Sequence, residues 1–342
     1  MSQAENETRR QRNRFFLMII AAVAGIYAVW GVSLLVAPAH EEEPARPNDA
    51  IARIEADLEE CPHAYTARIG TIHVVEDFVA RFGPIGLFCG AYCEDERPEA
   101  YRHVFIKNKN LGEDLYGLVS MDVGTHLVHE SCHSVEYWEI ARHAEGILGG
   151  AVPNRENIFS DLKAVDAAAV AASLREPRRT APSDPYIRLI RDWMFAHFGD
   201  VNGDGRLDEA DADAVAANPE RFDADGDGAL TYADVARRTP YRYLYRTNPL
   251  DPVVQFAMTL EQFTGWCPAG FASVYGSNEP WEDRAEVLAL VHRRGLLALL
   301  RAAGPAQDRA AKWLTRLRSR DAVLARKIDL MLNYLRALVP TA

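Results

Sequence analysis

Positive charge is in short supply. Across 342 residues, 38 lysines and arginines face 49 aspartates and glutamates, a net charge of −11. Such a chain lacks the basic footprint of a non-specific nucleic-acid binder, and nucleic acid is not expected among its partners. Cysteine is scarce too, with five in the whole chain. That excludes a small disulfide scaffold, and the odd number leaves at least one thiol outside any intramolecular bridge. No long-period repeat is present. What remains is 48% apolar and 25% charged, enough to bury a sizeable core and too ordinary for a disordered or collagen-like chain. The length allows one large domain or two ordinary ones.

The charge is unevenly spread. The first 14 residues carry four arginines and two glutamates, while residues 284–342 carry 12 basic and 4 acidic residues. Residues 15–283 are left with 22 basic against 43 acidic residues, net −21, so the middle of the chain is where cations should gather. From Phe15 to Ala39 there is no charge, and the 23-residue run from Phe15 to Ala37 would reach roughly 34 Å as a helix, enough to cross a bilayer. Arginines before it and Glu41-Glu42-Glu43 after it predict a cytoplasmic N-terminus with everything beyond the segment outside. The rival is a cleaved signal peptide at Ala37-Pro38-Ala39, against which stands the usual secretory apolar length of only ~7–15 residues. In an extracytoplasmic setting disulfides are the expectation for Cys61, Cys89, Cys93 and Cys267, with connectivity open, and Cys132 packs inside a helix as the thiol.

Past a Glu/Pro-rich linker, the periodicity predicts mixed α and β structure. A helix is expected over 51–58, strands over 66–75 and 101–107, and helices over 125–144, 162–174 and 185–198; the stretch 115–123 fits a strand or the approach to a helix. After residue 281 helix dominates, over 285–303, 306–318 and 322–338.

Two acidic frames repeat 23 residues apart. In the first, side chains of Asp200, Asn202, Asp204, Asp208 and Asp211 occupy positions 1, 3, 5, 9 and 12, the Arg206 carbonyl position 7, and Gly205 the turn at position 6. The second sets Asp223, Asp225, Asp227, Thr231 and Asp234 at the same side-chain positions, with the Ala229 carbonyl at 7 and Gly228 at 6. Calcium wants six to eight hard oxygens in this arrangement. The frames resemble EF-hand loops, with Leu207 and Leu230 at the position where paired loops join in a β-bridge. Aspartate at position 12 replaces the usual glutamate, a form similar to the calcium repeats of extracellular bacterial proteins such as dockerins, although the interval between frames is too short for a standard dockerin. Up to two calcium ions are expected, bound at about 10⁻⁴–10⁻³ M. A static staple is favoured over a regulated switch.

His129-Glu130-Ser131-Cys132-His133 is an HExxH sequence. On a helix, residues four apart share a face, so two imidazoles reach one zinc while the glutamate stands beside the open position. A catalytic zinc needs a third protein ligand, and two carboxylates four residues apart on a helix supply a ligand and a partner that orients it. Glu282 and Glu286 have that spacing, seven residues after Tyr275-Gly276.

These motifs resemble the gluzincin metallopeptidases related to the anthrax lethal factor catalytic domain and to the clostridial proline-proline endopeptidases. Their pattern is HExxHxxD, then tyrosine-glycine, then E-x-x-A-E. The resemblance implies one zinc held by His129, His133 and Glu282, Glu130 as general base, Glu286 and Glu136 orienting ligands, and Tyr275 steadying the oxyanion. Glu136 stands where the family has aspartate, and Cys132 where it has glycine. Likeness also touches the helix around Lys327, Ile328 and Leu332.

The expected architecture is α+β: a zincin-like domain with a small mixed sheet, a mostly helical C-terminal part, an EF-hand-like insert and an N-terminal transmembrane helix. Its segments are a cytoplasmic tail (1–14), anchor (15–38), linker (39–50), N-terminal part with the active-site helix (51–195), calcium pair (196–240) and helical part with the third ligand (241–342). The expected function is that of a membrane-anchored, extracytoplasmic zinc metallopeptidase acting on a peptide or protein, stabilised by calcium. The rivals are a non-enzymatic calcium-binding surface protein and a zinc amidase of cell-wall peptides. The strand 101–107 reads equally as an edge on which an extended substrate could pair and as an internal strand with no substrate role. His63, His73, His103, His126, His143, His197 and His292 read as structural or exposed, and the basic C-terminal helices as a solvated face, with docking to anionic lipid or cell-wall polymer as the rival.

Overall fold

A computed structural model of the chain describes residues 59, 61–75, 91–93, 103–107, 123–147, 158–175, 183–238, 257–258, 260–261 and 264–338. All fall in the second of two compact units, Ala45–Ala342. The expected membrane segment and the helix over 51–58 lie outside the described residues, among which no helix is long and apolar enough to cross a membrane.

The described residues are mostly helical with one small sheet. After a single turn of helix, α1 (His63–Thr66), come β1 (Thr71–Val75), β2 (Ala91–Cys93) and β3 (His103–Lys107). The order is β1-β3-β2, with β3 parallel to β1 and antiparallel to β2. The strand expected from residue 66 therefore begins five residues later, because Pro62 starts a helical turn first. β3 is the central strand, and both of its edges are occupied. A substrate cannot pair with it, so of the two readings for 101–107 the internal strand is the one observed and the edge strand is corrected. On β3, Val104 and Ile106 are buried, whereas His103 and Phe105 point to the opposite face, where His103 Nδ1 lies 2.8 Å from His73 Nε2.

The helix α2 (Val123–Ile147) carries the HExxH motif. It is buried on almost every side, with Leu127, Val128, Val135 and Ile140 at 1% exposure or less, as befits a helix through the middle of a core. It packs against α3 (Ile158–Arg175), β2, β3 and above all α7 (Pro280–Arg293). Asp184 caps α4 (Pro185–Ala196) by accepting from Tyr186 N and Ile187 N at 2.9 and 3.1 Å, with Pro185 at the first helical position. Next come α5 (Glu209–Ala217) and α6 (Tyr232–Arg238) of the acidic insert. The helix expected over 285–303 is broken: α7 starts at Pro280 and ends where Gly295 turns left-handed at φ 63°, and a short 3-10 turn, Leu296–Leu300, follows. The closing helices are α8 (Pro305–Arg318) and α9 (Ala322–Ala337), the latter capped by Asp321.

No disulfide joins the described residues. Cys61, Cys93, Cys132 and Cys267 are not bridged to one another, which corrects any expected bridge among Cys61, Cys93 and Cys267, and Cys89 lies outside the described residues. Cys61, Cys93 and Cys132 pack into the main core with α2 and α7, whereas Cys267 lies against a separate cluster around Phe222, Leu230 and Phe271. They behave as small apolar residues.

Candidate metal centre

α2 and α7 bring together the two halves of the site, 149 residues apart in sequence. His129 and His133, one turn apart on α2, turn their Nε2 atoms toward each other at 3.1 Å. Glu282 Oε2, in the first turn of α7, lies 3.2 Å from the first and 3.4 Å from the second. A tetrahedral zinc at ~2.0–2.1 Å from each donor would set neighbouring donors about 3.3–3.4 Å apart. The triangle fits to within a few tenths of an ångström. His129, His133 and Glu282 form the group able to hold one ion, compatible with an HExxH zinc site.

The electrostatics follow from burying two imidazoles against two carboxylates. Burial alone would lower His129, but its hydrogen bonds to Glu282 and Glu286 raise it well above the usual imidazole value, and Glu282 raises His133 in the same sense. Burial opposes ionisation of Glu282, yet the imidazoles outweigh it and hold the carboxyl well below its ordinary range. These are the protons a metal would displace.

Glu286, one turn beyond Glu282, places Oε1 2.8 Å from His129 Nδ1 and also accepts from Ser273. A carboxylate so placed would fix which nitrogen of His129 is left to face an ion. Glu136 acts differently from expectation. His133 Nδ1 is buried without a hydrogen-bond partner among the described residues, and Glu136 bonds Arg284 on α7 instead. Arg284 is fully buried, reaches Asp166 on α3 at 3.4 Å and lies close enough to Tyr232 on α6 to interact with it electrostatically. Burial beside a second carboxylate raises Asp166 to about 7 even with the guanidinium opposing. Glu136 thus locks the ligand helices together rather than orienting an imidazole.

Glu130 borders the triangle without joining it. Burial raises its pKa against the pull of both imidazoles, and it accepts a hydrogen bond from the backbone of Cys93 on β2. β2 is one of the two outer strands of the described sheet, and the strand bordering the site is this one and not β3. Tyr275 lies in a 3-10 turn, Tyr275–Ser277, with its ring 6.0 Å from His129. Burial, followed by the charges of Glu282, Glu130 and Glu286, raises its phenol well above the usual value, so it stays a hydrogen-bond donor, and it bonds Glu282.

The adjoining Gly276 has a steric reason. A Cβ there would meet Glu286 Cβ at 3.1 Å and the Asp283 backbone at 3.3 Å. Gly276→Ala is therefore expected to cost about 1–3 kcal/mol by overpacking, read from urea unfolding, and to weaken zinc binding by pushing Glu286 off His129.

The two acidic loops share one hydrogen-bond pattern. Asp200 accepts from Gly203 N and Gly205 N at 2.7 and 2.8 Å, and Asp223 from Gly226 N and Gly228 N at the same distances. Asp211 and Asp234, at position 12, are buried and accept from the backbone at both ends of their loops. Leu207 and Leu230 form no β-bridge. Between the loops there is only α5 and a 3-10 turn, Pro219–Arg221, so the second loop has no α-helix of its own leading in, and Leu230 packs into the cluster with Phe222 and Val235. Asp223, Asp225 and Asp227 approach closely enough to share an ion.

Sequence reasoning did not find Arg284, Asp166, Asp283, Ser273 or the Cys93 backbone. Compared with known proteins, the chain matches no family model, no curated protein and no solved structure.

Proposed function

We propose that the chain is a zinc metallopeptidase of the gluzincin type, anchored in the membrane by residues 15–38 with its catalytic part outside the cytoplasm, and stabilised by up to two calcium ions. The observation that carries this reading is the donor triangle of His129, His133 and Glu282, with Glu286 behind His129 and Glu130 at its border. Zinc bound there supplies a water of pKa near ~7 and polarises a carbonyl. Glu130, whose basicity is raised by burial, takes the proton of the attacking water and delivers it to the leaving amine. Tyr275, kept protonated, donates to the oxyanion that develops on the substrate. No covalent intermediate is required. A calcium-binding surface protein on a decayed scaffold is disfavoured because Glu130, Tyr275 and Glu282 are all retained, and decay removes such groups singly.

The test is metal content of the purified chain by elemental mass spectrometry. Near one zinc per chain is expected, with marked loss in both His133→Ala and Glu282→Ala. No zinc under metal-replete, calcium-containing conditions would end this reading and leave calcium binding as the leading function.

A further inference from the structure

Lys327 on α9 has no exposed surface, an expensive place for an ammonium. Burial lowers its pKa, and Asp283 opposes that by stabilising the charge. Its Nζ donates to Gly270 O at 2.6 Å and to Asp283 Oδ2 at 2.5 Å, and lies 4.0 Å from the Phe271 ring centre. The same Asp283 oxygen accepts from Trp193 Nε1 at 2.9 Å, with His197 Nε2 3.8 Å away. Gly270 is gripped from its other side as well, its N–H donating to Asp321 Oδ2 at 2.6 Å at the start of α9.

The sequence positions of the two gripped residues matter. Asp283 directly follows Glu282, and Gly270 lies five residues before Tyr275. One ammonium therefore joins the backbone leading to the tyrosine to the helix turn presenting the carboxylate ligand. We propose that Lys327 is a positioning residue: acting through Asp283 and Gly270, and touching neither metal nor substrate, it sets where Glu282 and Tyr275 stand relative to the two imidazoles. This rests on the zinc reading above. The competing account is a fold staple with no bearing on the metal.

A buried ion pair replaced by apolar residues of similar size often keeps stability, whereas removing one partner strands the other charge. The experiment compares wild type, Lys327→Met and the double variant Lys327→Met/Asp283→Leu, measuring thermal midpoint and zinc affinity by chelator competition. In the single variant both are expected to fall. In the double variant the midpoint recovers while zinc stays weaker by about tenfold or more, the scale typical of lost outer contacts at metal sites. If the double variant does not fold, Lys327→Arg, which keeps the charge but cannot reproduce both short contacts from one nitrogen, is expected to fold with weakened zinc. A wild-type chain that binds zinc, with folded variants binding it within twofold of wild type, overturns the inference alone. A wild-type chain that binds no zinc overturns the site reading and this inference with it.

Discussion

Glu130→Gln is expected to reduce hydrolysis of unfolded protein or peptide substrates by about 10²–10⁴-fold while leaving zinc content at the wild-type level. The donors of the proposed site are the Nε2 atoms of His129 and His133 and Oε2 of Glu282, so an amide at position 130 removes none of them. It removes the proton acceptor that the proposed mechanism requires of Glu130. The amide oxygen still accepts from the Cys93 backbone, so the side chain keeps its anchor. Because burial disfavours the charged carboxylate at this position, its neutral replacement is expected to fold at least as stably. Turnover and elemental zinc measured on one preparation check both halves. Normal turnover would remove Glu130 from the mechanism, and loss of zinc would make it a ligand.

Asp200→Ala combined with Asp223→Ala is expected to be the next most damaging change, lowering both thermal stability and activity by an order of magnitude or more in the catalytic case. Each substitution removes position 1 of a loop, the carboxylate that two loop amides converge on. The consequence reaches the metal centre by two routes. Trp193 on α4, the helix leading into the first loop, bonds Asp283, and Tyr232, at the start of the helix leaving the second, lies beside Arg284. Asp283 and Arg284 are the two residues after Glu282. A loosened insert should therefore let the first turn of α7 shift. The assay belongs at millimolar calcium, matching the weak affinity of extracellular loops. Undiminished activity in the double variant would show that the insert is independent of catalysis.

The parts of this architecture that sequence made visible are those with a local signature. Apolar spacing located α2, α3, α4, α8 and α9 closely, and HExxH and the repeated acidic frames announced themselves by composition at fixed offsets. Features made by distant partners were silent. Arg284 meets Glu136 across 148 residues and Asp166 across 118, and neither pairing imposes a period on its own segment. The strand 101–107 was legible as a strand, but whether it lay at an edge or inside the sheet was not, because that depends on β1 and β2. The thiols misled for a similar reason: compartment chemistry favours bridges, but packing decides which side chains can meet, and Cys267 belongs to a different cluster from the other three described cysteines. Lys327 did leave a trace. It falls between Leu324 and Met331 on the buried stripe of α9, a charge where the helical period calls for an apolar residue.

Glu282, Asp283 and Arg284 are consecutive, and about 100° of helix separates each from the next. One faces the imidazoles, one faces α4 and α9, and one faces α2 and α3. The metal centre consequently has an assembly order. During synthesis, the histidines emerge long before their third partner, and that partner is gripped only after Lys327 has followed it. Until the closing helix docks, the nascent chain carries two imidazoles and no finished donor triangle, so the triangle is completed only when the domain is already shut around it.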